Sequence, residues 1–135
     1  MTTVTKDMTF DAAHMLTGYE GRCRNLHGHT YHLFVEARGE LNDEGMVVDF
    51  RLLKELMTRE IADRFDHAFM YCDKSPVELE IARVLESNGL KTVPLPFPTT
   101  AENLARYFYG VLAGHVDVSA VRLMETPTSC AEYRP

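Results

Sequence analysis

Two stretches of strict alternation constrain this chain most. Over residues 3–14, Val4, Met8, Phe10, Ala12 and His14 share one parity, while Thr3, Thr5, Asp7, Thr9 and Asp11 share the other. Over residues 27–41, His27, His29, Tyr31, Leu33, Val35 and Ala37 share one face, with Thr30, Glu36, Arg38 and Glu40 opposite. A period of two is the pattern of a half-buried strand. Lys6 interrupts the first apolar face, and Gly18, Gly21 and mixed charges make residues 15–26 a connecting loop.

His14 closes the first apolar face; His27 and His29 open the second. Same-face neighbours on a strand lie about 6.6 Å apart, and Gly28 between them lets the backbone approach closely. If the strands pair antiparallel, all three imidazoles meet at one rim of the sheet. Three neutral imidazoles with an open fourth position are the ligand set of a catalytic zinc. Ligation requires them neutral, so affinity should fall in acid. The plainer alternative is two surface histidines and one core histidine. The matching face of His14 and the nearby thiol of Cys23 favour the metal. Cys23 itself reads either as a small buried hydrophobe or, beside a cation, as a thiolate base or nucleophile.

Downstream, Asn42–Gly45 reads as a turn and Met46–Val48 as a short strand. Phe50, Leu53, Met57, Ile61 and Phe65 recur at helical spacing behind Asp49 as N-cap. Residues 78–88 suit a short helix ended by Asn88-Gly89. The run from Pro94 to Pro98 reads as extended connection. A further helix starts with Thr99–Glu102 as a capping box and carries Leu104, Phe108, Val111 and Leu112. Two short strands close the chain, with Val121, Leu123 and Glu125 on one face of the first and Cys130 to Arg134 in the second. The predicted order is ββααββ: α+β, an antiparallel sheet with its helices on one face.

Two acidic positions stay open at this level. Asp66-His67 is a helix C-cap, a surface feature or a proton relay; adjacency alone does not make the two face each other. Glu125 lies on an inward parity, where a carboxylate is costly unless paired. It is either a strand end in water or an acceptor for a ligand with two adjacent N–H groups. His32 and His115 read as surface or structural, and Cys72 and Cys130 as structural.

At 135 residues the chain is expected to be one domain, 1–135. A net charge of −6 without a basic run argues against nucleic acid as a partner. Three scattered cysteines without a C-x-x-C pair suggest a reducing cytoplasm. The first residues form no apolar signal core and no apolar run reaches membrane-spanning length, so no membrane is expected.

Taken in order, Phe10-Asp11-Ala12-Ala13-His14, C-x3-HGH at 23–29, Asp66-His67, Thr-x-Glu at 100–102 and Glu125-Thr126-Pro127-Thr128-Ser129 resemble the 6-pyruvoyltetrahydropterin synthase family. The resemblance covers nearly the whole chain. The three-residue gap between Cys23 and His27 is similar to the bacterial 6-carboxytetrahydropterin synthase branch, which serves queuosine and other 7-deazaguanine biosynthesis. It implies a tunnelling fold, with a four-stranded antiparallel sheet, two main helices on one face and trimers closing a barrel. These trimers usually pair into homohexamers with active sites between subunits. It implies Zn2+ on His14, His27 and His29, Cys23 as catalytic base, and Asp66 and His67 as its relay. Glu125 would anchor a pterin ring, and Thr100 would lie in the stretch touching it. The implied substrate is 7,8-dihydroneopterin triphosphate. The implied products are 6-carboxy-5,6,7,8-tetrahydropterin, acetaldehyde and triphosphate.

Alternatives on the same residues are a sibling lyase forming a 6-pyruvoyl or 6-hydroxymethyl pterin, a non-catalytic zinc or pterin-binding protein, and a Cys-His-Asp hydrolase. Cys23, Asp66 and His67 together argue against binding alone, and nothing in the charged loop marks the oxyanion hole a hydrolase needs. Residues 72–97 are longer than the compact bacterial form, and Thr99 stands where a proline often precedes the helix threonine. Arg22, Arg24 and Lys6 are candidates for the triphosphate.

Overall fold

In the computed structural model, which describes residues 1–135, β1 (Thr2–His14) and β2 (His27–Gly39) pair antiparallel along their whole length. Thr2 lies opposite Gly39 and His14 opposite His27. The alternation read from the sequence is therefore realised, except that β2 ends at Gly39, short of the expected Glu40 and Leu41. β5 (Val118–Thr126) pairs antiparallel with β2, and β6 (Ser129–Tyr133) with β5.

The expected four-stranded antiparallel sheet is corrected to six mixed strands, ordered β4-β3-β1-β2-β5-β6. β3 (Ala68–Cys72) joins β1 in parallel through Ala12 and Ala13 only, and β4 (Thr92–Leu95) joins β3 in parallel. Every residue of β3 is buried. A strand covered on both faces shows no alternation, which is why Ala68–Cys72 is silent in the sequence pattern. The extended stretch at Pro94 proves to be strand as far as Leu95; Pro94 sits on the edge strand, where a missing N–H is tolerated. Met46–Val48, expected as a strand, is irregular.

Asp49 caps α1 (Phe50–Met57) by accepting from Arg51 N–H at 2.8 Å. A wider, π-type turn continues over Thr58–Ala62, then α2 (Asp63–Phe65). Residues four apart drift by about 40° per step around a regular helix. The wider turn absorbs that drift, so Met57, Ile61 and Phe65 are all fully buried. Phe50, expected on the same stripe, is 50% exposed, and Leu56 takes an inward place.

α4 (Ala101–Ala113) is capped by Thr100, not Thr99: the Thr100 hydroxyl accepts from Asn103 N–H at 3.2 Å. Its Leu104, Phe108 and Leu112 meet Phe10, Tyr31, Leu33 and Phe65 in the main core. Phe65 and Phe108 pack edge to face at 5.0 Å. α3 (Pro76–Ser87) begins two residues earlier than expected, behind Ser75, and ends at Gly89 with φ 72°. It does not join the other helices. Leu79, Ile81 and Leu85 pack with Phe69 and Tyr71 in a separate small cluster on the opposite face of the sheet. The expectation of helices on one face is corrected accordingly, and two strands interrupt the helices in the chain order.

Candidate metal centre

Antiparallel register brings the three histidines together. His14 pairs with His27 across β1 and β2, and His29 comes two residues on, on the same face. A Cβ on Gly28 would stand 3.2 Å from the Ala12 carbonyl oxygen, so the hairpin needs glycine for this approach. One nitrogen from each of His14, His27 and His29 lies within 4.8 Å of the others.

The hydrogen bonds fix which nitrogens are bare. His14 Nδ1 lies 2.8 Å from the Thr99 carbonyl oxygen, and His27 Nδ1 lies 2.6 Å from that of Asn25. A carbonyl only accepts, so both Nδ1 atoms carry the proton and both Nε2 atoms are lone pairs. Those lone pairs face each other at 3.1 Å, an arrangement that a shared cation resolves and a hydrogen bond does not. His29 Nε2 is buried and without a hydrogen-bond partner. Three orphaned nitrogen donors therefore converge, each of a kind that suits zinc. The carbonyls behind two of them are the outer partners that orient ligating imidazoles. Burial pushes the fully enclosed His14 down to about 4, the Thr99 contact opposing and the two neighbouring imidazoles assisting. His29 is lowered as well, chiefly by burial. Burial thus favours the neutral, ligating form of His14 and His29.

Glu125 stands at the same rim. Its Oε1 is 3.6 Å from His14 Nε2 and 3.9 Å from His29 Nε2. The carboxylate also lines a cleft of about 450 Å³ with Ala101, Glu102 and Cys130. Glu125 therefore faces both the nitrogen trio and open space. Tyr31 lies beneath the trio, its ring 5.5 Å from that of His29, and burial raises its hydroxyl above the usual phenol range. Thr100 lies beside this region, but its hydroxyl is engaged in capping α4.

Asp66 and His67 do face each other. His67 has φ 63°, and this left-handed turn brings its Nδ1 to 3.1 Å from Asp66 Oδ2. Asp11 holds both residues: its N–H donates to Asp66 Oδ1 at 2.9 Å, and its carbonyl accepts from His67 N–H at 2.6 Å. The Asp11 N–H is the main reason the Asp66 carboxyl sits below the usual carboxylate range, with His67 and Lys91 adding to it. The His67 side chain is 77% exposed and borders a groove of about 660 Å³ with His29, Phe69, Leu85 and Lys91. Cys23 lies half-buried in a 3-10 turn, Arg22–Arg24, and no hydrogen bond within the chain joins it to Asp66 or His67.

Two site features were missed in the sequence. Thr99, read as a helix cap, supplies the carbonyl behind His14 across 85 residues, and no local signal carries that contact. Tyr31 shares the parity of His29, so its place beneath the trio could have been read from alternation.

Known proteins agree with this architecture. The family model described as 6-pyruvoyl tetrahydropterin synthase matches residues 3–135. A Haemophilus influenzae protein named 6-carboxy-5,6,7,8-tetrahydropterin synthase is 44% identical, covering 97% of each chain. An Aquifex aeolicus protein of the same name is 37% identical over 84% of this chain and 76% of its own. The solved 6-pyruvoyl tetrahydropterin synthase of Caenorhabditis elegans superposes with a TM-score of 0.74 at 27% identity, covering 99% of this chain and 95% of that one.

Proposed function

This chain belongs to the 6-pyruvoyl tetrahydropterin synthase family, a family of pterin-processing enzymes, and on that premise we propose that it is a zinc-dependent lyase. The proposed reaction takes 7,8-dihydroneopterin triphosphate and water to 6-carboxy-5,6,7,8-tetrahydropterin, acetaldehyde and triphosphate, in queuosine or another 7-deazaguanine biosynthesis. The single observation that carries the product is the 44% identity to the Haemophilus influenzae protein of that name over nearly the full length of both chains. The short gap between Cys23 and His27 points the same way.

His14, His27 and His29 hold the zinc in this reading, supported by their converging bare nitrogens. Zinc in that place supplies Lewis-acid polarisation of the substrate's side-chain oxygens, which acidifies the neighbouring C–H. The Cys23 thiolate takes the proton, and His67, oriented by Asp66, returns one. Glu125 accepts from the adjacent N–H groups of the pterin ring in the cleft it lines, with Thr100 nearby.

Cys23 is served by Asp66-His67 of a neighbouring subunit in a homohexamer built as a dimer of trimers. The exposure of His67 supports this, as does the edge of β1 from Thr2 to Phe10, which carries no strand on the side away from β2. An uncovered edge of that length invites pairing with another chain. The proposed location is the cytoplasm. No helix is long and apolar enough to cross a membrane.

The test is mass spectrometry of products after zinc-loaded protein is incubated with 7,8-dihydroneopterin triphosphate. A 6-carboxy pterin with acetaldehyde is expected; a 6-pyruvoyl product would move the chain to the sibling reaction. Cys23→Ala should keep zinc and lose turnover, and full activity in that variant would remove the thiol from the mechanism.

A further inference from the structure

The loop between β1 and β2 carries Cys23, and its hydrogen bonds to elements beyond those two strands come from one side chain, Thr17. The Thr17 hydroxyl lies 2.7 Å from Glu78 Oε2 and 2.8 Å from Ser75 Oγ. Glu78 N–H donates to Ser75 Oγ at 3.3 Å, and Cys72 N–H donates to Glu78 Oε1 at 3.2 Å. An ionised carboxylate only accepts, so the Thr17 proton must go to Glu78. Thr17 Oγ1 then takes its second bond from the Ser75 hydroxyl. The three residues close a ring in which each proton has one consistent place.

Glu78 is 2% exposed and has no cationic side chain as partner. Its charge is held by the Thr17 hydroxyl, the Cys72 N–H and the positive end of α3, where it occupies the first turn. Ser75-Pro76-Val77-Glu78 has the spacing of a capping box, in which the glutamate ordinarily returns to the N–H of its own cap residue. Here the Ser75 N–H goes to the Cys72 carbonyl instead, and the carboxylate is released to the loop. The neighbour of Thr17 completes the path: Leu16 N–H donates to the Cys23 carbonyl at 2.9 Å. A buried charge on α3 is therefore linked, through two successive loop residues, to the backbone of Cys23.

We infer that the Thr17–Ser75–Glu78 ring is a positioning device that sets the loop bearing Cys23, with Glu78 and Thr17 as positioning residues. The inference rests on the role proposed above for Cys23, and it assigns a purpose to the segment that packs α3 on the outer face. Thr17→Val keeps the shape of the side chain and removes the hydroxyl. In the zinc-loaded protein it should raise the rate at which iodoacetamide alkylates Cys23, followed on its own peptide, by about tenfold, the cost of losing a hydrogen bond to a charged group. It should lower kcat with KM near that of the parent, and Thr17→Ser should restore both. Ser75→Ala breaks the ring from the helix side and should move both readouts the same way, so it decides the matter if Thr17→Val does not fold. Parental alkylation and kcat in either folded variant would overturn the inference. Alkylation is read without substrate, so the ring is tested even if the pterin assignment fails.

Discussion

On the inner face of the sheet, Phe10, Tyr31, Leu33, Val35, Val121 and Leu123 bury continuously against α1, α2 and α4, and the three histidines close that face at its rim. On the outer face the apolar cluster is small, Phe69 and Tyr71 of the sheet against Ala82 of α3, and much of the rest carries charged and hydroxyl side chains such as Asp7, Asp11, Thr30 and Arg38. The inner rim encloses His14 fully and His29 in part, and burial holds both neutral. The outer groove is open and holds His67, the proposed proton carrier, within reach of solvent. A ligand set needs burial and a proton carrier needs access, and under the proposed roles one sheet supplies both by offering each its own side.

Removing a metal ligand should set the two faces apart most strongly. Structural zinc binding is worth about 10–16 kcal/mol, so one imidazole of three carries about 3–5 kcal/mol. His14→Ala should cost at least about a hundredfold in zinc affinity, read by competition with a chromogenic chelator. Next comes the core that supports the rim. Phe65 is fully buried between α4 and the sheet, and Phe65→Ala should cost about 4 kcal/mol in denaturant unfolding.

Acid should separate the faces a third way. His14 titrates at about 4 when folded and at 6.5 when unfolded, so the unfolded chain binds the proton more readily. In metal-free protein this contribution is complete above pH 6.5 and is lost as pH falls towards 4, a change of roughly 3 kcal/mol. His29 is displaced in the same direction and adds to it. Thermal melts of metal-free protein between pH 7.5 and 4.5 should fall steeply, and a flat profile would mean that the rim is wet. The smallest effect belongs outside. Leu85 is half-buried on the sheet-facing side of α3, so Leu85→Ala should cost about 1 kcal/mol, measured by the same unfolding.

The inner face was legible because its information is local. Each strand repeats every two residues, and the loop joining β1 to β2 is short enough that their pairing comes from order alone. The trio, Gly28 and the inward parity of Glu125 were readable for that reason. The outer elements were not. β3 is buried on both sides and meets β1 through two residues, so neither its existence nor its parallel sense leaves a period. Glu78 looks like any helix-start glutamate until Thr17 is brought to it from 61 residues away. Thr99 meets His14 through a backbone carbonyl, and carbonyls carry no sequence identity at all.

At His67, conformation and chemistry share a single position. The left-handed backbone there suits glycine, asparagine, aspartate and histidine far better than β-branched residues. Selection for folding alone would accept most of that short set, whereas selection for the proposed proton transfer would accept histidine. Single-step drift at this site is therefore confined twice, and the gap between the two sets of tolerated residues measures how much of position 67 belongs to the turn and how much to the reaction.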